Sequence, residues 1–223
     1  MKKIYSILHN NLVDKLIIKK RQEMCDIINL DLKNHNIIDA LDIGTTNDMG
    51  NKSSNYLIKN LKNIKIYKSL SDQKINDSFF VSCLQKSITA DFSIEEIQDM
   101  KSDLVISSAT IEHVGSIENQ IRMLRNMKLL SKKFFVITTP SRFHPIDFHT
   151  KIPFIHWFPK KIHRRLLKIL GLNFFSYEEN LNLLSKKDLI NILMKCEISN
   201  YKIFSTSLLG FKSNFIIIGT VKD

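Results

Sequence analysis

The amino-acid sequence predicts an α/β fold: a doubly wound, mostly parallel sheet that ends in an antiparallel C-terminal hairpin. Three observations lead there. Short apolar runs recur along the chain, IIDALDI (37–43), NIKIYKSL (63–70), DLVISSA (103–109) and FFVITT (134–139). Polar, helix-compatible segments separate them, and strands that alternate with helices form a parallel sheet covered on both faces. The chain then closes with NYKIFSTS (200–207) and NFIIIGTV (214–221), joined by the short LLGFKS, as an antiparallel edge hairpin would be.

The elements follow in order. With 223 residues and 43% hydrophobic content the chain can bury one sizeable core, and no Pro-, Gly- or Ser-rich linker divides it, so residues 1–223 read as one domain. An N-terminal helix is expected over 1–31, where Ile7, Leu12, Leu16, Ile17, Met24, Ile27 and Ile28 recur among charges at mostly helical intervals. The first strand run leads into LDIGTTNDMG (41–50), with Gly44 directly after it. Lacking a Cβ, Gly44 lets the backbone turn tightly and approach a ligand. A helix starting just beyond would offer unpaired N–H groups to a carboxylate or phosphate. The segment 116–130 sets Ile117, Ile121, Leu124 and Met127 or Lys128 on one helical face, a crossover between the third and fourth runs. Helical spacing returns after residue 160, in KKIHRRLLKILG and SKKDLINILMK.

Composition excludes several classes. The three cysteines, Cys25, Cys83 and Cys196, are odd in number and form no CxxC pair, which argues for free thiols in a reducing compartment. In MKKIYSILHNNLV the polar His9, Asn10 and Asn11 interrupt the apolar part before a secretory core can form, and no apolar run is long enough to span a bilayer. A soluble cytoplasmic protein is expected. The net charge of +11 suggests nucleic acid, but Lys, Ile and Asn are frequent throughout and the lysines are scattered, which argues against that partner. The glycine loop is not a nucleotide motif either: GTTNDMGNKS lacks GxGxxG and misses the P-loop pattern twice.

Other motifs join the glycine corner. ALDIG (40–44) resembles the first motif of class I S-adenosylmethionine-dependent methyltransferases of the small-molecule type, and SDLVISSATIEHVG (102–115) resembles the stretch holding their fourth strand and following helix. Between them lie SLSDQ (69–73) and ITADF (88–92), where that family has the acidic groups that contact ribose and adenine. The resemblance covers roughly residues 35–140 and implies a Rossmann-like methyltransferase fold with S-adenosyl-L-methionine as cofactor. It implies that Asp42, Gly44 and Thr45 border the methionine part of the cofactor, that Asp72 accepts from the ribose hydroxyls, and that Asp91 with the Phe92 backbone reads the adenine amine. Ser108 and Ala109 would line the floor beneath the sulfonium, with Glu112 and His113 opening the next helix. Carboxylates suit these places because the diol and the amine are donors, and charge-assisted hydrogen bonds are the stronger kind. The family's usual GxGxG is GTTND here, a departure that bears on cofactor affinity.

The acceptor side is expected in TPSRFHPIDFHTKIPFIHWFPKKIHRRLL (139–167), part of a lid or acceptor insertion over 140–185. Pro140, Pro145, Pro153 and Pro159 forbid a long helix there. His144, His149, His156, His163 and Trp157 crowd it. Methyl transfer to a hydroxyl gains from a base near neutral pKa, so His144 or His149, with His113 behind them, are the candidate catalytic residues and Asp147 their orienter. Arg142, Asp147, His156 and Trp157 are the candidate acceptor contacts. His144, Asp147 and His149 also make a 2-His-1-carboxylate set, but neighbours on a loop do not guarantee convergence, so no metal is expected.

In residues 160–171 the stripe Ile162, Leu166, Ile169 and Leu170 among basic residues packs on its own domain or lies on an anionic membrane surface. PIDFHTKIPFIHWFP is similar to a stretch of bacterial methyltransferase-like proteins of surface-polysaccharide assembly, which implies a glycan or lipid-linked acceptor. The leading reading is methyl transfer to a small-molecule or surface-glycan-related acceptor at oxygen. The alternatives are a catalytically silent binding or scaffold protein that kept the fold, and an RNA methyltransferase, for which no RNA-binding module or NPPY-like motif is visible.

Overall fold

The structure, a computed structural model, describes residues 11–221. Its first helix, α1 (Asn11–Leu32), docks through Met24, Cys25, Ile28 and Leu32, one face of its C-terminal half. The first ten residues of the expected helix, Ile7 among them, lie outside the described residues. Seven strands follow: β1 (Asp39–Ile43), β2 (Ile66–Ser71), β3 (Ser82–Gln85), β4 (Ser102–Ser108), β5 (Ser131–Pro140), β6 (Tyr201–Leu208) and β7 (Phe211–Thr220). They form one sheet in the order β3-β2-β1-β4-β5-β7-β6, with β1 to β5 parallel and β7 antiparallel to both neighbours. The chain runs outward from β1 to β3 and restarts at β4 on the other side of β1. Loops leaving β1 and β4 therefore diverge, and the crevice between them is where ligands of open α/β sheets bind.

Six helices beyond α1 complete the layers: α2 (Tyr56–Asn60), α3 (Ile94–Met100), α4 (Ile117–Leu130), α5 (Lys160–Ile169), α6 (Asn173–Ser176) and α7 (Lys186–Lys195). Alternation along the strands assigns each buried side chain to a face. Leu104, Ile106, Phe134, Val136, Ile216 and Ile218 meet α1 and α2, whereas Val105, Phe135, Ile137 and Ile217 meet α4 and α7. On α4 it is Met127, not Lys128, that continues the buried face of Ile121 and Leu124. Ser93, Ser116 and Ser185 cap α3, α4 and α7 by accepting a backbone amide one turn on.

The expected strands and the closing hairpin are present, and β3 was not foreseen. It is an edge strand with alternating half-exposed positions and almost no apolar pattern to betray it. Among the described residues no helix is long and apolar enough to cross a membrane.

One contact fixes the edge between the parallel and antiparallel parts. Phe135 lies fully buried opposite Gly219 in the β5–β7 ladder, and a Cβ at Gly219 would overlap its ring. Gly219→Val is expected to lower unfolding stability by about 1–3 kcal/mol, the range for overpacking a full core. Adding Phe135→Leu should recover part of the loss in denaturant titrations; no recovery would show that the ring is not what the new side chain strikes.

Candidate active site

At the end of β1, Gly44 adopts φ 84°, open to glycine at little cost. Its amide donates to the Leu70 carbonyl (2.9 Å), and a Cβ there would overlap the Thr110 side chain, so the loop after β4 packs on the bare Cα. The helix expected immediately after Gly44 is absent. Residues 44–55 pass through turns, and α2 starts only at Tyr56. Asn55 explains this: its side chain accepts the Thr46 amide (3.0 Å) and donates to the Thr46 carbonyl (2.8 Å), closing the loop on itself.

Asp42 is buried under that loop, where its carboxylate accepts the Thr45 hydroxyl (2.7 Å). Burial pushes the Asp42 carboxyl up to about 6, opposed by the Thr45 hydrogen bond and the charge of Lys59. Thr45 is itself buried, and its hydroxyl holds Asp42. Asp72, the residue directly after β2, and Asp91, just before α3, are exposed. Phe92 is half-buried beneath the Lys86 ammonium, 5.1 Å from the ring centre. At the end of β4, Ser108 accepts the Thr138 hydroxyl (3.0 Å), and Ala109 turns at φ 53° with its amide on the Thr138 carbonyl (2.8 Å).

A second group gathers at the carboxyl ends of β4 and β5. Glu112 lies in a 3-10 turn (Ile111–His113) and is fully buried; Oε2 accepts the Thr139 hydroxyl (2.9 Å), while Oε1 has no partner. His149, thirty-seven positions on (149 minus 112), brings Nε2 to 3.8 Å from that Oε1 and Nδ1 to 3.1 Å from Asp147. Buried Asp147 also accepts the His149 amide (3.0 Å) and the Thr150 hydroxyl (2.7 Å). Exposed His113 sets Nδ1 2.7 Å from the Asn180 carbonyl, and its ring centre lies 4.9 Å from that of His149. The turn is pinned by the Asn182 amide on the Glu112 carbonyl (2.7 Å) and by Gln120 on the Ile111 carbonyl (3.1 Å). Burial opposes charge on His149, but the Asp147 hydrogen bond and the Glu112 and Asp147 carboxylates outweigh it and raise its pKa above the ordinary imidazole value. Asp147 is pushed up by burial and pulled further down by the His149 and Thr150 contacts, so it stays ionised well below the usual carboxylate range.

Solved structures share this arrangement of strands and helices. A Burkholderia thailandensis 1,6-didemethyltoxoflavin-N1-methyltransferase, with bound 1,6-didemethyltoxoflavin and S-adenosylhomocysteine, aligns at TM-score 0.58 and 8% identity over 100% of this chain and 87% of its own. Magnesium protoporphyrin IX methyltransferase from Synechocystis PCC 6803, with bound S-adenosylhomocysteine, aligns at 0.54 and 16% over 99% and 92%. CurJ carbon methyltransferase aligns at 0.53 and 13% over 83% of this chain and 49% of its own, so the chain spans about half its length. The fold is that of the class I methyltransferases. No family model and no curated protein matches the sequence.

On this methyltransferase fold the residues expected at the acceptor side divide into two groups. His149, Asp147 and His113 come together with Glu112. His144 does not: it is buried and stacked on Phe148, with Nδ1 against the Ile146 backbone. His156 is buried too, and it and Trp157 both donate to the His144 carbonyl (2.7 and 3.3 Å). Arg142 donates to the His156 and Phe158 carbonyls (3.2 and 2.8 Å). These four hold the segment after β5 together through bonds to its own backbone. The set His144, Asp147 and His149 does not converge, because Asp147 supports His149 from behind. Thr139, Asn180 and Asn182 were not foreseen, since nothing in their local sequence separates them from ordinary polar residues. A cavity of about 340 Å³ between Ser141, Phe143, Lys186, Lys187 and Lys212 was missed for the same reason.

His163 is nearly as buried as His156, its Nε2 has no partner, and burial lowers its pKa to about 4 against the partial opposition of Asp147. A folded pKa below the unfolded 6.5 means the unfolded chain binds the extra proton, so this stability is full above pH 6.5 and is lost as pH falls toward 4. The denaturation midpoint should drop across that window, and His163→Leu should flatten the drop; an equal slope in both proteins would remove His163 as its source.

Proposed function

We propose that the chain is an S-adenosylmethionine-dependent methyltransferase acting at oxygen on a small-molecule or surface-glycan-related acceptor. The observation that supports this best is the alignment of groups along one sheet edge: the Gly44 corner over Asp42, the exposed carboxylates of Asp72 and Asp91, and the cluster of Glu112, His113 and His149. The donor chemistry fits. Asp72 and Asp91 would accept from the ribose diol and the adenine amine, Asp42 would face the ammonium of the amino-acid end, and Ser108 with Ala109 would form the floor. When bound, the cofactor supplies an electrophilic methyl group on a sulfonium. The chain's task is then to hold an acceptor oxygen in line and to ease loss of its proton, and positioning supplies much of the rate. Of the candidate histidines, His149 suits that task, because Asp147 fixes its ring and leaves Nε2 beside Glu112.

Calorimetry tests this reading. S-adenosylhomocysteine should bind near neutral pH, and Asp72→Ala should weaken it at least tenfold. Because Asp42 pairs with the ammonium only when ionised, affinity should fall about tenfold per pH unit below 6 and stay flat in Asp42→Asn. Failure of the wild-type chain to bind either S-adenosylmethionine or its demethylated product would end the proposal.

The basic helix supports a peripheral membrane contact through residues 160–171. Helix α5 packs inward through His163 and Leu167 and leaves Ile162, Ile169 and Leu170 at 44, 80 and 54% exposure beside Lys161, Arg165 and Lys168. The apolar stripe expected to pack on the domain thus faces mostly outward, as an interfacial helix does. Vesicles rich in anionic lipid should pull the chain down on sedimentation, and Ile169→Asp with Leu170→Asp should abolish this; equal sedimentation of the double variant would count against the contact.

A further inference from the structure

We infer that Glu112, His113 and His149 bind one first-row divalent cation of the Zn²⁺, Mn²⁺ or Fe²⁺ type, a site independent of whether the chain transfers methyl groups. One ligand atom from each residue lies within 4.8 Å of the others, and His149 Nε2 is already 3.8 Å from Glu112 Oε1. Donors about 2.1 Å from a common ion sit roughly 3–3.5 Å apart, so a small closure suffices. His113, exposed and tethered through Nδ1 to the Asn180 carbonyl, can tilt its ring to supply part of it.

Two further observations point to a cation. The Glu112 side chain is fully buried, and its Oε1, the oxygen turned toward the histidines, has no hydrogen-bond partner. An unmet buried carboxylate oxygen is costly, and a cation between it and the two imidazoles removes that cost. Each ligand is also held from its far side. The Asn180 carbonyl can only accept, so it keeps the proton on His113 Nδ1 and leaves Nε2 bare. Asp147 does the same for His149, and the Thr139 hydroxyl orients Glu112 through Oε2. Carboxylates and carbonyls behind ligating imidazoles are the usual outer support of a metal site.

The donor set selects the ion. Two imidazoles with one carboxylate suit Zn²⁺, Mn²⁺ or Fe²⁺, whereas Mg²⁺ and Ca²⁺ take oxygen ligands. Three protein ligands leave at least one position for an oxygen of water or acceptor. A hydroxyl held there would release its proton to solvent more readily, a task the ion would take over from His149 Nε2.

Titration of the untagged, chelator-treated chain with Co²⁺, followed by its visible absorption, and with Zn²⁺ in a calorimeter tests the site without cofactor or acceptor. Failure of methyl transfer therefore leaves this result standing, and the converse holds. One equivalent should bind, with affinity at least tenfold weaker in His113→Ala and His149→Asn, unchanged in His35→Gln, and undisturbed by millimolar Mg²⁺. Should His149→Asn fold poorly, His113→Ala decides alone, because His113 is exposed and lies outside the hydrophobic core. Binding well below one equivalent, or undiminished in His113→Ala, would overturn the assignment.

Discussion

The carboxyl edge of the sheet depends on one close approach, that of Thr110 to the bare Cα of Gly44. Strands β1 and β4 pair side by side, and their following loops leave in opposite directions. The root of the crevice between them is closed by Gly44 against Thr110 and by the Ser107 hydroxyl on the Ile43 carbonyl (3.0 Å). From that root the two halves of the site diverge. Loop 44–55 turns back over Asp42 under the hold of Asn55, while Thr110 leads within two residues to Glu112. A side chain at position 44 would push these halves apart, so the glycine corner and the histidine cluster share one steric origin.

Burial of charge is managed differently on the two sides. At the amino edge, Asp39 meets Lys132 (3.2 Å) and Asp103 meets Lys133 (3.1 Å), ordinary ion pairs that tie strand starts together. At the carboxyl edge, among the described residues, no lysine forms a salt bridge with Glu112 or Asp147; both are held by hydroxyls, amides and histidines. Asp147 has its hydrogen-bonding capacity well used, whereas Glu112 is satisfied on one oxygen only. That asymmetry leaves one buried carboxylate oxygen of the cluster, Glu112 Oε1, without a partner.

Much of the architecture was legible because burial writes itself into pattern. β1, β4, β5 and β7 are apolar on both faces, and a parallel sheet between helix layers leaves no other place for such runs. β3 escaped because an edge strand with one neighbour does not need that pattern. The α5 stripe was misleading for a related reason: helical periodicity identifies an apolar face but not what covers it, and His163 with Leu167 turned out to face inward. The positions of Asp42, Gly44, Asp72 and Asp91 were legible because each sits at a strand end or ahead of a helix that local sequence reveals.

The sequence by itself determined the strand and helix runs, the glycine corner and the set of residues crowded after β5, because these follow from local sterics and periodicity. Only the tertiary structure decided which histidines share an environment. His144, His149, His156 and His163 have similar neighbours along the chain, yet three turn into the packing of their own segment and His149 turns toward Glu112. The choice depends on contacts from distant segments, the Thr139 hydroxyl on β5 and the Asn180 and Asn182 backbone before α7, and spacing along a chain has no record of such long-range closure.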